Sequence, residues 1–157
     1  MDTKHEVFIE LAENNNMVKN QILDFLERIN NEYPVSLIEK IDFQEYITKV
    51  FKFGFILEAK VNNSIVGILT FYANNHREKE GVISLIGVLN KYRRFGIASK
   101  LYLKSFEIMK EEGMVNVFTF THKDNYESIK FHEKLGFYID PARESNYEYN
   151  ISLLRKL

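Results

Sequence analysis

Val82-Ile83-Ser84-Leu85-Ile86-Gly87-Val88-Leu89 leads directly into Asn90-Lys91-Tyr92-Arg93-Arg94-Phe95-Gly96-Ile97-Ala98, and the reading of this junction decides the fold. The first stretch is a short apolar run, the pattern of a buried strand. Beyond the loop, Ala98, Leu101, Tyr102, Ser105, Phe106 and Met109 recur at offsets of three and four, which predicts a helix. A strand that feeds a short basic loop with a glycine, and then a helix, is a way to hold phosphate. The first helical turn has N–H groups without intrahelical acceptors, and the helix dipole makes that end partly positive. Glycine lets the backbone approach closely enough for those groups to point at an anion. Gly96 alone fits a plain tight turn equally well, so the wider spacing has to decide.

The spacing Arg93-x-x-Gly96-x-Ala98 resembles the Arg/Gln-x-x-Gly-x-Gly/Ala signature of the GNAT superfamily of N-acetyltransferases. Downstream, Asn125-Tyr126-Glu127-Ser128-Ile129-Lys130-Phe131-His132-Glu133-Lys134-Leu135-Gly136-Phe137 resembles that family's later segment, Asn-x-x-Ala-Ile-x-Leu-Tyr-Glu-Lys-Leu-Gly-Phe. The likeness covers residues 50–140 well and the N-terminal third poorly. It implies an α/β fold of mixed α+β kind, a strongly twisted mixed sheet flanked by helices. It also implies acetyl-CoA as co-substrate, with its pyrophosphate gripped by the loop amides.

Composition narrows the alternatives. A chain of 157 residues is most simply one domain, 1–157, long enough to bury a proper core. A formal net charge of −1 argues against a general nucleic-acid binder, although Lys91, Arg93 and Arg94 form a local basic patch. With no cysteine, disulfides, thiolate nucleophiles and cysteine-ligated zinc are excluded. No histidine or carboxylate pair has ligand spacing, and no metal is expected. The start, Met1-Asp2-Thr3-Lys4-His5-Glu6, lacks the apolar centre of a signal peptide, and no apolar run is long enough to span a membrane. The expected place is therefore the cytoplasm. Thirteen Phe and nine Tyr mostly fall at strand or helix period and read as core.

Along the chain, Phe8–Leu11 reads as a first strand and Val18–Ile29 as a helix, with Pro34 breaking the chain after it. Phe43–Val50 is a second, shorter helix. Gly54–Val61 and Ile65–Tyr72 form strands around Asn62-Asn63, a pair suited to a tight hairpin. Gly81–Val88 is the next strand, and the helix from Ala98 stops at Gly113. Val115–Thr121 is a strand. Asp124 or Asn125 caps a helix that runs through Leu135, and Gly136 ends it. Phe137–Ile139 and Tyr147–Leu153 are the last strands.

The resemblance implies acyl transfer from a thioester to an amine, which needs an uncharged amine, a polarised carbonyl and a proton for the thiolate. In this reading Val88 supplies a polarising backbone N–H, and the pantetheine arm lies against Ile86, Gly87 and Val88. Gly87 lets a ligand lie against the strand, or is a glycine tolerated at a bulge. Arg93, Arg94, Phe95, Gly96, Ile97 and Ala98 bind pyrophosphate, Arg93 more as a brace, and Ser99 offers a hydroxyl. Asn90 stands where the family often has proline. Asn125 either contacts pantetheine or caps its helix. Ser128 occupies the position of a small alanine facing the cofactor.

His132 stands where the family usually carries the tyrosine that protonates the thiolate. Its ordinary pKa of ~6.5 suits that task. A histidine on an amphipathic helix is also often a packed core residue. Tyr126 and Tyr102 are reserve donors. Glu80, with Glu58 behind it, is a candidate base, and either is equally readable as a solvated charge. His76 and His122 are weaker.

The acceptor surface falls where the likeness is thinnest. Tyr72 and Asn74, with Asn75, offer neutral hydrogen-bonding groups, and Tyr147 and Tyr149 wall the other side. Such groups suit a small amine, an amino sugar or sugar nucleotide. Tyr33-Pro34-Val35-Ser36-Leu37 and Ile41–Lys49 loosely resemble family members that acetylate amino sugars of surface polysaccharides. The expected acceptor is thus a small-molecule amine, on a monomer or homodimer. A protein or peptide N-acetyltransferase with an open groove is the alternative, and a non-enzymatic acyl-CoA sensor is the third.

Overall fold

The computed structural model describes residues 6–32 and 42–157. Pro34, the segment Tyr33 to Leu37 and Ile41 lie outside them. Among the described residues four helices surround one sheet in the order β1 (Phe8–Leu11), α1 (Asn16–Asn30), α2 (Phe43–Phe53), β2 (Phe55–Val61), β3 (Ser64–Asn75), β4 (Glu80–Val88), α3 (Ile97–Glu111), β5 (Asn116–His122), α4 (Tyr126–Lys134), β6 (Tyr138–Ile139) and β7 (Asn150–Lys156). The expected succession of strands and helices is found.

Local chemistry explains the boundaries. Asn15 starts α1 by accepting from the Val18 N–H at 2.9 Å, Asp42 starts α2 from Glu45 N–H at 3.1 Å, and Asn125 starts α4 from Ser128 N–H at 3.0 Å. Asn62 and Asn63 both adopt positive φ, 50° and 64°, the geometry a two-residue hairpin turn needs. The last strand begins at Asn150 rather than Tyr147, because Tyr147 accepts from the Asn150 N–H in a turn at 3.1 Å instead of joining the ladder.

The strands lie in the order β1-β2-β3-β4-β5-β7-β6, with β4 and β5 parallel and the other neighbours antiparallel. Two glycines report which helix covers which face. A Cβ on Gly67 would stand 3.3 Å from Ile97 and from Leu101, so α3 packs there. One on Gly87 would overlap the Cδ1 of Ile29, so α1 packs on the opposite face. Ile22, Leu26 and Ile29 of α1 and Ile47 and Val50 of α2 are buried, as are Ile97, Leu101, Tyr102 and Met109 of α3. Each such side chain contributes roughly 1.5–3 kcal/mol through burial.

The sheet forks at its centre. β4 and β5 pair only over Glu80–Asn116, Gly81–Val117 and Val82–Phe118. One residue on, the Thr119 hydroxyl donates to the Ile83 carbonyl at 3.1 Å, the last bond across the pair. On the other side of β4, Thr70 pairs with Leu85 and Phe71 with Ile83, which leaves Ser84 as the extra residue of a bulge. A bulge bends and twists its strand. It sits where β4 leaves β5, and the two strands diverge toward Val88 and His122.

Candidate active site

The fork opens onto the loop that follows β4. Leu89 N–H bonds the Val66 carbonyl of β3 at 2.9 Å, and Val88 pairs with Gly67. Backbone groups alternate sides along an antiparallel strand. Val88 and Ile86 therefore turn their N–H and C=O groups away from β3 and into the opening, whereas those of Gly87 join the ladder. Gly87 is required for a different reason from the one expected: Ile29 fills the space its Cβ would take, so the glycine admits α1 rather than a ligand.

Arg93 is the brace. Its Nε donates to the Val88 carbonyl at 3.0 Å, its Nη1 to Asn90 Oδ1 at 3.4 Å, and its Nη2 lies 3.6 Å from Glu32. Glu32 also accepts from the Asn90 N–H at 3.0 Å, which ties the end of α1 to the loop. Arg94 and Gly96 then adopt φ of 71° and 76°. A left-handed residue in such a turn makes successive N–H groups converge, an anion-binding concavity. Nothing lies within 4 Å of where a Gly96 Cβ would be, and no side chain caps α3. The first helical bond runs from Lys100 N–H to the Gly96 carbonyl at 3.1 Å, so the first-turn amides of Ile97, Ala98 and Ser99 have no intrahelical acceptor.

These groups line a cavity of about 930 Å³ that runs from Val88 past Gly96 and Ser99 to Phe131. Lys130 and Lys134 of α4 line its far wall. Their i, i+4 spacing is visible in the sequence; that α4 lies opposite the start of α3 is not. A cavity with free helix-start amides on one side and cations on the other fits a polyphosphate ligand such as coenzyme A. Phe95, 71% exposed, does not line this cavity.

His132 departs from its expected role. It is 5% exposed and ringed edge-on by Tyr102, Phe131 and Phe137. Its Nδ1 lies 2.7 Å from the Ser128 carbonyl, which can only accept, so Nδ1 carries the proton. The Tyr102 hydroxyl, 2.8 Å from Nε2, then donates to it. Burial holds the imidazole pKa below its ordinary value, against a smaller opposing effect of the Ser128 bond. With both nitrogens engaged, the ring is a neutral core residue joining α3 to α4. Ser128 likewise turns inward, accepting from Thr121 of β5 at 2.9 Å, and Asn125 uses its carbonyl as the helix cap.

Glu80 and Asn74 are not brought to the opening. Glu80 stands at the paired end of β4, about 26 Å along the strand from Val88 at the loop end. There it is bound by Arg143, whose guanidinium also covers the Phe118 ring. Asn74 donates to the Phe53 carbonyl at 3.3 Å and closes the end of α2. Glu58 is buried beneath α1, 1% exposed, with Oε2 lacking a hydrogen-bond partner among the described residues. Burial raises its pKa, moderated by nearby Lys60. Tyr72 does face the helical side of β3, packed over Gly54, and burial raises its pKa too.

Three groups that sequence reading passed over stand at the fork itself: Tyr46 of α2 places its hydroxyl 2.6 Å from Thr70 Oγ1 and 2.6 Å from Ser84 Oγ. Across the opening, Phe118 and Phe120 of β5 contact edge-to-face, and the expected wall residues Tyr147 and Tyr149 stack in series with His122.

Residues 20–137 match the profile described as the Acetyltransferase (GNAT) family. The chain belongs to that family. It is an acyl-CoA-dependent acetyltransferase, with a GNAT fold. Among curated relatives, N-alpha-acetyltransferase 30 of Schizosaccharomyces pombe is 29% identical over 102 residues, covering 60% of this chain and 67% of that protein. The human N-alpha-acetyltransferase 30 is 30% identical over 99 residues, 62% of this chain but only 27% of its own length. The chain thus spans well under half of the human relative. A solved structure of the NatC complex bound to Gag peptide and CoA superposes with a TM-score of 0.76 at 18% identity, covering 97% of this chain and 99% of that one. Among the described residues no cluster of histidines and carboxylates could hold a metal ion, and no helix is long and apolar enough to cross a membrane.

Proposed function

We infer that this acetyltransferase modifies the α-amine of a peptide or protein N-terminus. The likeness to two N-alpha-acetyltransferases at 29–30% identity carries the reading. It displaces the small-molecule amine that the sequence led us to expect, since those relatives are named for protein chemistry. The accessible aromatic row beside the fork supports it: Phe120 is 36% exposed and Tyr147 54% exposed, a wall along which an extended chain can lie.

Bound acetyl-CoA supplies the activated acetyl group. The amides of Arg94 to Ser99 hold its pyrophosphate, with Lys130 and Lys134 as counter-charges. Arg93 keeps the loop and the Val88 carbonyl in register. The backbone N–H of Val88 orients and polarises a carbonyl lying in the fork. The amide N–H groups of Asn125 remain for the pantetheine arm. The acceptor arrives from the α2 side, between Tyr46 and the β5 aromatics.

The test is thiol release with acetyl-CoA over a panel: peptides with free N-termini bearing each first residue, the same peptides Nα-blocked, and glucosamine-type amines. Release with free but not blocked peptides, and a 42 Da gain at the N-terminus by mass spectrometry, is expected. Turnover confined to glucosamine-type amines would return the small-molecule reading.

A further inference from the structure

Three hydroxyls from three separate elements meet where the sheet divides. Ser84 is the bulged residue of β4, without a partner in β3, and it is exposed. Thr70 of β3 is fully buried. Tyr46, partly buried on α2, bridges them at 2.6 Å on each side. A surface serine bonded only to water would not explain a tyrosine held between it and a buried threonine. The arrangement fixes Ser84 in one orientation, because its rotation would break the bond to Tyr46.

We propose that the Ser84 hydroxyl receives an N–H of the attacking amine, and that Tyr46 and Thr70 hold Ser84 in place for it. This rests on the reading of the chain as an amine acetyltransferase given above. Ser84 stands just beyond the last β4–β5 pair, at the mouth of the fork and on the α2 side, from which an acceptor must come. The direction of the hydroxyl chain does not matter. If Thr70 donates to Tyr46 and Tyr46 to Ser84, Ser84 keeps a lone pair; in the reverse direction it keeps both.

The step itself balances simply. A C–N bond forms, the C–S bond breaks, and the proton lost by nitrogen ends on the thiol or in solvent. None of the three hydroxyls removes a proton from an ammonium at neutral pH, and burial raises the Tyr46 pKa further, outweighing its two hydrogen bonds. The cluster therefore serves an amine that arrives uncharged. An α-amine, with a pKa of ~7.7–8.0, does so far more readily than a lysine side chain at ~10.4. Tyr46, acting through Ser84, is a positioning residue.

Steady-state kinetics on the full chain test this, using acetyl-CoA, the pooled free-N-terminus peptides, and an Nα-acetylated lysine peptide. Ser84→Ala should lower kcat with the pooled peptides about tenfold. Ser84→Thr, which keeps the hydroxyl, should stay within about threefold, and acetyl-CoA affinity by calorimetry should not move in either. Tyr46→Phe should cost about three- to fivefold in the native background and almost nothing on top of Ser84→Ala. The ratio of α-amine to lysine-amine turnover should exceed about a hundredfold at pH 7.5. Ser84→Ala turning over like the native protein overturns the proposal while leaving the acetyltransferase reading intact. So does an undiminished Tyr46→Phe effect in the Ser84→Ala background, or an equal loss of acetyl-CoA binding. If the native protein acetylates no amine at all, the parent reading fails first and takes this one with it.

Discussion

The two sides of the fork are built in opposite ways. The side that fits coenzyme A is local: Val88 through Ser99 supplies most of its groups, and they act through backbone N–H groups whose direction follows from chain conformation. The side we propose for the acceptor is assembled from Tyr46, Thr70, Ser84 and Phe120, which come from four elements and would act through side chains. A site made of consecutive backbone tolerates side-chain change and has a strong sequence signature. A site made of distant side chains has almost none, and it can be retuned for another acceptor without disturbing the first.

The strongest way to break this contrast is at Gly96. Gly96→Val forces a β-branched residue to φ 76° and re-aims the amides, so acetyl-CoA affinity should fall about a hundredfold by calorimetry, with Tm lowered by only a few degrees. If binding survives, the loop is not the anion site. Gly87→Ala probes the same strand for a different cause. Overlap with Ile29 should cost about 2–3 kcal/mol in denaturant unfolding, and Ile29→Val should recover part of it; a loss of acetyl-CoA binding without a loss of stability would restore the ligand-contact reading.

His132→Gln should lower stability by about 2 kcal/mol at pH 7.5 and leave kcat within about threefold, since the ring joins helices rather than facing the fork. The sign with pH follows from its depressed folded pKa. Below pH ~6.5 the unfolded chain takes up a proton that the folded one resists, so this contribution is full above that pH and declines as pH falls. The variant should flatten that decline in a pH series of melts. A kcat loss of a hundredfold would instead make it an acid. The smallest effect is expected at Glu58, whose raised pKa means its contribution is full below pH ~4.3 and lost as pH rises through the folded value. Glu58→Gln should therefore raise Tm by about 2–4 °C at pH 7 and not at pH 4.

Much of the fold was legible because its elements carry local signals. The Asn62-Asn63 hairpin, the cap at Asn125 and the helix period after Gly96 each depend on residues within a few positions of one another. The Arg93 brace was implied by the resemblance of its motif to the family signature. Glu80 and Asn74 were misplaced because a strand's sequence does not say at which rung its neighbour departs. His132 was ambiguous because an amphipathic helix has two flanks, and only Tyr102 and Phe137 decide which one is core.

By itself, then, the sequence determined the succession of elements and the turn at Gly96, since hydrogen bonds and dihedral preferences over short separations suffice for these, while two motif resemblances pointed to the family. Only the tertiary structure decided that β4 and β5 part after Val82, that α1 claims the space at Gly87, and that Tyr46 meets Thr70 and Ser84. Those outcomes depend on packing between segments tens of residues apart, and no local pattern encodes which side chains such packing brings within a hydrogen bond.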